Sequence, residues 1–240
     1  MSVRRSLLQG VQAHSGRRRS NAAGVLVTYD DWVVAANDFI DAELARDPRP
    51  IILYGLSAGG MLTYHAAALN RKVKGIIGMT FLDQRIQQVS DETAFSKIVS
   101  RIGMPPVRFA TKAGLGSFAL PMRFVSKMRA LVNDEAALKA CYADRTSAGN
   151  WVSLAFLASY ADYIPALEPE QFDICPILLT QPAEDRWTPL HLSNLFLDQI
   201  TKVPVRKVTL DNAGHYPIEQ PGLRQMHDAI VEFVRECADR

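Results

Sequence analysis

Gly55-Leu56-Ser57-Ala58-Gly59 places a serine between glycines, directly after the apolar run Ile51-Ile52-Leu53-Tyr54. An Ala-, Met- and Leu-rich stretch follows it, to about Asn70. A serine hydroxyl attacks an acyl carbonyl only when a base takes its proton and a sharp turn lifts it clear of its strand. GxSxG between a strand and a helix is such a turn. Gly55 and Gly59 are expected to leave out side chains that would collide with the neighbouring strand or helix. The N–H of Ala58, at the helix N-terminus, is expected to face the oxyanion that forms on attack.

A serine nucleophile needs a base within hydrogen-bond reach, and an acid to orient that base. Of five histidines, His14 lies near the N-terminus, and His65, His191 and His227 fall in helical patterns as surface or core residues. His215 alone lies in a loop just after a strand pattern, in Asn212-Ala213-Gly214-His215-Tyr216-Pro217, where Gly214 is read as freeing the loop to turn. Asp185 follows the apolar run Ile177-Leu178-Leu179-Thr180, which gives the chain order Ser57…Asp185…His215. Asp83, beyond the strand pattern at 73–79, stands as an alternative acid; Glu184, beside Asp185, should point elsewhere.

The elements that must carry these residues read as alternating helices and strands. Thr28 to about Ala45 repeats apolar residues at helical spacing, and Asp47-Pro48 stops it. Ile51-Ile52-Leu53-Tyr54 is a short continuous apolar run, the mark of a strand buried on both faces, and further strands are expected over 73–79, 177–180 and 203–210. Helices are expected over 58–70, 190–200 and 223–237. This grammar is that of an α/β protein with a mostly parallel sheet and helices on both faces. The stretch 84–170 is longer than a crossover requires, and reads as a helical cap or lid inserted between core segments 28–83 and 171–240.

Hydrophobic residues make up 48% and charged residues 22% of the chain, a globular composition. No apolar run is long enough to span a bilayer. Cys141, Cys175 and Cys237 lie far apart without CxxC spacing, which fits reduced thiols in the cytoplasm and neither a disulfide framework nor a metal site. The net charge of +2 is uneven: Arg4, Arg5, Arg17, Arg18 and Arg19 all precede the first acid, Asp30. Residues 1–27 therefore read as a basic, disordered arm, with export or organellar targeting as weaker readings. The rest of the chain is net negative, which argues against nucleic-acid binding.

From about Thr28 onward the sequence resembles the α/β-hydrolase superfamily, most closely its lysophospholipase and monoacylglycerol-lipase-like members. Residues 51–60 (IILYGLSAGG), 176–189 (PILLTQPAEDRWTP) and 213–217 (AGHYP) carry the resemblance. It implies that Ser57, Asp185 and His215 are nucleophile, acid and base. Pro182 stands where the family usually has glycine. The resemblance also implies four strands and a helix ahead of residue 28, with a second oxyanion donor in an HG motif. His14-Ser15-Gly16 is the nearest match and leaves too short a chain behind it. The chain thus reads as N-terminally truncated relative to the family, a partial fold whose strand at 51–54 becomes an edge prone to self-association.

The expected function is hydrolysis of small-molecule carboxylic esters, with a lipophilic acyl group, through an acyl-enzyme and without metal or organic cofactor. The alternatives are a non-catalytic hydrolase-like protein or mis-started chain, lacking the second oxyanion donor, and an acyltransferase. Residues 104–133 contain no acid but carry Arg108, Lys112, Arg123, Lys127 and Arg129. Phe109, Phe118, Met122 and Phe124 there, with Trp187, are expected to line an acyl pocket, and the basic face is a candidate for peripheral membrane contact.

Overall fold

The computed structural model describes residues 26–144 and 148–238. The expected arm, apart from Leu26 and Val27, lies outside them, as does His14-Ser15-Gly16.

Helix α1 (Tyr29–Arg46) opens on a capping box. The Thr28 hydroxyl accepts from the Asp31 N–H while the Asp31 carboxylate accepts from the Thr28 N–H, so two otherwise orphaned donors are satisfied. Extended Asp47 ends the helix before Pro48. Strand β1 (Ile52–Gly55), helix α2 (Ala58–Asn70) and strand β2 (Gly75–Gly78) follow.

The segment 84–170 is mostly helical: α3 (Gln87–Thr93), α4 (Met104–Ala110), the single turn α5 (Met122–Val125), α6 (Glu135–Ala143) and α7 (Leu154–Asp162). It also holds a small antiparallel pair that the sequence did not predict, β3 (Ala119–Pro121) against β4 (Trp151–Ser153). Three-residue strands carry too short an alternation to stand out from their helical surroundings.

The chain then returns to the sheet with β5 (Ile177–Pro182), α8 (Leu190–Leu197), β6 (Val205–Leu210) and α9 (Gly222–Ala238). Pro182 is the last residue of β5 and sits opposite Leu210. Among the described residues the main sheet has four strands in the order β1-β2-β5-β6, all parallel. Strand β1 pairs there with β2 only.

The continuous apolar runs are explained by the two layers of helices. Ile76, Ile177 and Leu179 pack against Ile40 of α1, Met61 and Tyr64 of α2 and Phe196 of α8. Their neighbours Ile77 and Leu178 point the other way, onto Ala229, Phe233 and Cys237 of α9. Each such side chain removed from water contributes about 1.5–3 kcal/mol. Rigid on both faces, the sheet fixes the loops at its C-terminal edge, where ligand sites of open α/β sheets form.

Candidate active site

Three of those loops bring Ser57, Asp185 and His215 into one hydrogen-bonded chain. Ser57 stands between β1 and α2 at φ 53°, ψ −125°, a sparsely populated backbone region held by its surroundings. The turn depends on Gly55, where a Cβ would lie 2.0 Å from the Gly59 carbonyl oxygen. The second glycine needed for space is Gly60, not Gly59. A Cβ on Gly60 would lie 1.9 Å from the Thr80 carbonyl oxygen of the β2 loop, whereas one on Gly59 would meet nothing within 4 Å. Ala58, the expected oxyanion donor, is the first residue of α2, directly after Ser57.

The loop after β6 buries His215 completely. Its Nε2 lies 2.9 Å from Ser57 Oγ and its Nδ1 2.9 Å from Asp185 Oδ2. A carboxylate only accepts, so the proton sits on Nδ1, and Nε2 is left to accept from the serine hydroxyl. Gly214 acts by size and not by backbone freedom: positive-φ glycine among the described residues is confined to Gly114. A Cβ at 214 would lie 2.7 Å from Asn133 Nδ2.

Asp185 is held by its own loop. The Trp187 and Thr188 N–H groups donate to Oδ1 at 2.9 and 2.8 Å, and the Thr188 hydroxyl donates to Oδ2 at 2.7 Å. Burial by itself raises the Asp185 pKa, but the hydrogen bond and charge of His215, with the Thr188 donors, outweigh it and hold the carboxyl below its usual range. The Trp187 ring lies against the imidazole, with centroids 4.8 Å apart.

Asp83, the alternative acid, is not part of this chain. Arg85, two residues on, bonds both of its oxygens and continues to Glu168. A carboxylate so engaged has its lone pairs committed to a guanidinium. The expected acyl-pocket residues divide. Trp187 is buried against His215, and Met122 packs in the same small cluster. Phe109, Phe118 and Phe124 are exposed to solvent, which corrects the expectation that they line a pocket.

Sequence reasoning missed Thr188 and Asn133. Thr188 had a signal: Asp-x-x-Thr-Pro is a turn in which the aspartate caps the amides two and three residues on. Asn133 had none, because only the fold brings the 84–170 segment against the loops after β5 and β6. There the Arg186 guanidinium donates to Asn133 Oδ1 at 3.0 Å, and the Tyr216 N–H donates to the Leu131 carbonyl at 2.9 Å.

The sequence profile of the alpha/beta hydrolase family matches residues 3–224. The chain belongs to this family. Among solved structures, this hydrolase is similar to the monoacylglycerol lipase of Paleococcus ferrophilus, at TM-score 0.65 and 19% identity over 85% of this chain and 76% of that one. It is also similar to a soluble variant of the monoglyceride lipase of Saccharomyces cerevisiae, at TM-score 0.60 and 11% identity over 86% and 68%. Est1E from Butyrivibrio proteoclasticus follows at TM-score 0.54 and 16% identity over 89% and 72%. At these identities the likeness is one of fold. No curated protein matches the chain. Among the described residues no helix is long and apolar enough to cross a membrane, and no group of three metal-ligating side chains occurs.

Proposed function

We propose that this hydrolase cleaves carboxylic esters with a lipophilic acyl group, using Ser57 as nucleophile, His215 as base and then acid, and Asp185 as the orienting carboxylate. One observation carries the reading. The Ser57–His215–Asp185 chain, 2.9 Å at each link, is closed around a fully buried imidazole.

Each step follows from that geometry. As Ser57 Oγ bonds to the acyl carbon, its proton passes to His215 Nε2, and the imidazolium is balanced by Asp185. The carbonyl oxygen becomes an oxyanion facing the Ala58 N–H at the start of α2. Collapse breaks the ester C–O bond, and the departing alkoxide takes the proton from Nε2. Water, losing a proton to Nε2, then bonds to the acyl carbon; the acyl–Oγ bond breaks, Ser57 Oγ takes the proton back from Nε2, and the acid leaves. The lipophilic acyl group is supported by the fold's likeness to lipases and by the apolar Trp187–Met122 cluster beside the base. The segment 84–170 serves as the cap over the site, since residues 131–133 lie on both the acid and base loops.

A fluorophosphonate probe with a p-nitrophenyl ester series from acetate to laurate tests this. The expected result is stoichiometric labelling that Ser57→Ala abolishes, together with faster turnover of medium and long chains. Labelling that persists in Ser57→Ala removes the nucleophile assignment. Labelling with transfer to an added alcohol, and no hydrolysis, makes the protein an acyltransferase.

A further inference from the structure

Residues 97–113 form one continuous helical run in which π turns at Val99–Gly103 and Thr111–Leu115 flank α4, the second of them kinked at Gly114 (φ 83°). The side of this run that carries Ser100, Val107 and Thr111 is buried or half-buried, and α4 packs on α7. The opposite side is apolar and faces solvent. Ile98 is 69% exposed, Ile102 68% and Phe109 75%, and exposed Pro105, Pro106 and Ala113 fill the stripe between and beyond them. Spacings of three and four place these residues on one face. In an amphipathic helix of a closed protein that face would point inward. Phe118 and Phe124, on the chain that follows, are exposed as well. Isolated exposed apolar residues need no explanation, but a sustained face of them marks a contact surface.

Its charge selects the occupant. Between Thr93 and Asn133 the sequence has no acid. Arg101 and Arg108 are neutralised by Asp91 and Asp162. Lys112, Arg123 and Arg129 make no salt bridge among the described residues, while Lys127 lies in the field of Glu92. A second copy pairing through the same face about a twofold axis would set these cations against their own counterparts. An anionic bilayer accepts both features at once, with apolar side chains entering at acyl depth and cations meeting phosphates.

We propose that the Ile98–Phe109 face, with the cations that follow it, docks this protein on anionic lipid membranes. For its purpose this rests on the lipophilic-ester reading; its test does not. The docking segment is tied to the catalytic loops at both ends. At one, the Trp187 indole N–H donates to the Thr93 carbonyl at 2.9 Å. At the other, Leu131 and Asn133 hold Tyr216 and Arg186. A docked face therefore sets the site at the surface where lipid esters reside.

The experiment is co-sedimentation of the full chain, carrying Ser57→Ala so that no lipid is consumed, with phosphatidylcholine vesicles with or without phosphatidylglycerol. The expected result is binding to the phosphatidylglycerol vesicles that falls with added salt, and at least about a tenfold loss of partitioning in Ile98→Glu/Ile102→Glu. That double substitution, made in the wild-type chain, should leave turnover of p-nitrophenyl acetate and the melting temperature unchanged. Equal binding by the double variant assigns the effect to the N-terminal arginines and overturns the proposal. No binding at low ionic strength overturns it too, as does an oligomer that the double variant dissociates while vesicles are ignored. Failure of the probe labelling, with vesicle binding intact, would remove the esterase reading and leave the docking face standing.

Discussion

The Thr188 hydroxyl lies 3.0 Å from His215 Nδ1 while donating its one proton to Asp185 Oδ2 at 2.7 Å. Toward the imidazole it can then only accept, so the Nδ1–H is shared between a carboxylate and a hydroxyl oxygen, both buried. This arrangement favours the tautomer that leaves Nε2 free for Ser57 and fixes the ring from a second direction. Thr188→Val keeps the shape and removes the hydroxyl. Losing a buried hydrogen bond to a charged group is worth about 1.5–3 kcal/mol, which corresponds to a fall in kcat of roughly tenfold to a hundredfold. KM should be little changed and Thr188→Ser should restore most of the loss. A valine variant with full kcat would reduce Thr188 to a packing residue.

Asp185 and Asp83 separate by function in a paired experiment. Asp185→Asn keeps the side-chain volume but offers His215 an amide, and activity should drop by roughly 10⁴-fold through the wrong tautomer. Asp83→Asn loosens the Arg85 bridge to Glu168 and should lower stability while leaving kcat within about twofold, because Arg85 stays partly solvated. Steady-state rates and urea midpoints on both variants decide it. A collapse of kcat in Asp83→Asn would move the acid to the β2 loop.

The two adjacent glycines of α2 should respond in opposite directions. Gly60→Ala drives a methyl into the Thr80 carbonyl oxygen, where backbone on both sides cannot yield, and soluble folded protein should be largely lost. Gly59→Ala meets nothing and adds helix propensity, so it should raise stability by about 0.4–1 kcal/mol. Thermal melts of the two variants are the check, and equal damage from both would show that the elbow tolerates no side chain at either position.

What the sequence disclosed, and what it concealed, follows from the range of the interactions. That Ser57, Asp185 and His215 come together was legible because each follows a strand pattern, and parallel strands bring their ends to one edge. The choice between Asp83 and Asp185 was not legible from position, since both leave strands. The fold sets Asp185 against His215 and ties Asp83 to Arg85 and, through it, to Glu168. The phenylalanines of 104–133 were misplaced for a different reason. Phe109 sits on a helical run with apolar side chains on both faces and π turns that break the 3.6-residue period, and Phe118 and Phe124 sit beside the three-residue β3 in pieces too short to show any period. Gly59 and Gly60 show the same limit, because a motif names the glycine and only packing shows which one lacks room.

His65 gives this protein a built-in sensitivity to mild acid. Its Nδ1 lies 2.9 Å from the Tyr29 hydroxyl, and the Tyr163 ring packs against it with centroids 4.4 Å apart. Burial, with a smaller push from the Arg85 charge, lowers its pKa from 6.5 to about 3. The folded state therefore keeps His65 neutral, while the unfolded chain takes up a proton once pH falls below about 6.5. Stability from this group is full above pH 6.5 and is lost progressively as pH falls toward 3, at up to about 1.4 kcal/mol per pH unit. Between pH 6.5 and 5, above the usual range of carboxylate titration, the loss amounts to about 2 kcal/mol. His65→Gln retains a partner for Tyr29 and removes the titration, so its urea midpoint should be nearly flat over that interval where the wild-type midpoint falls. His191, His215 and His227 are common to both proteins and cancel in the comparison. Parallel midpoint curves for the two proteins would mean that His65 is not held neutral by the fold.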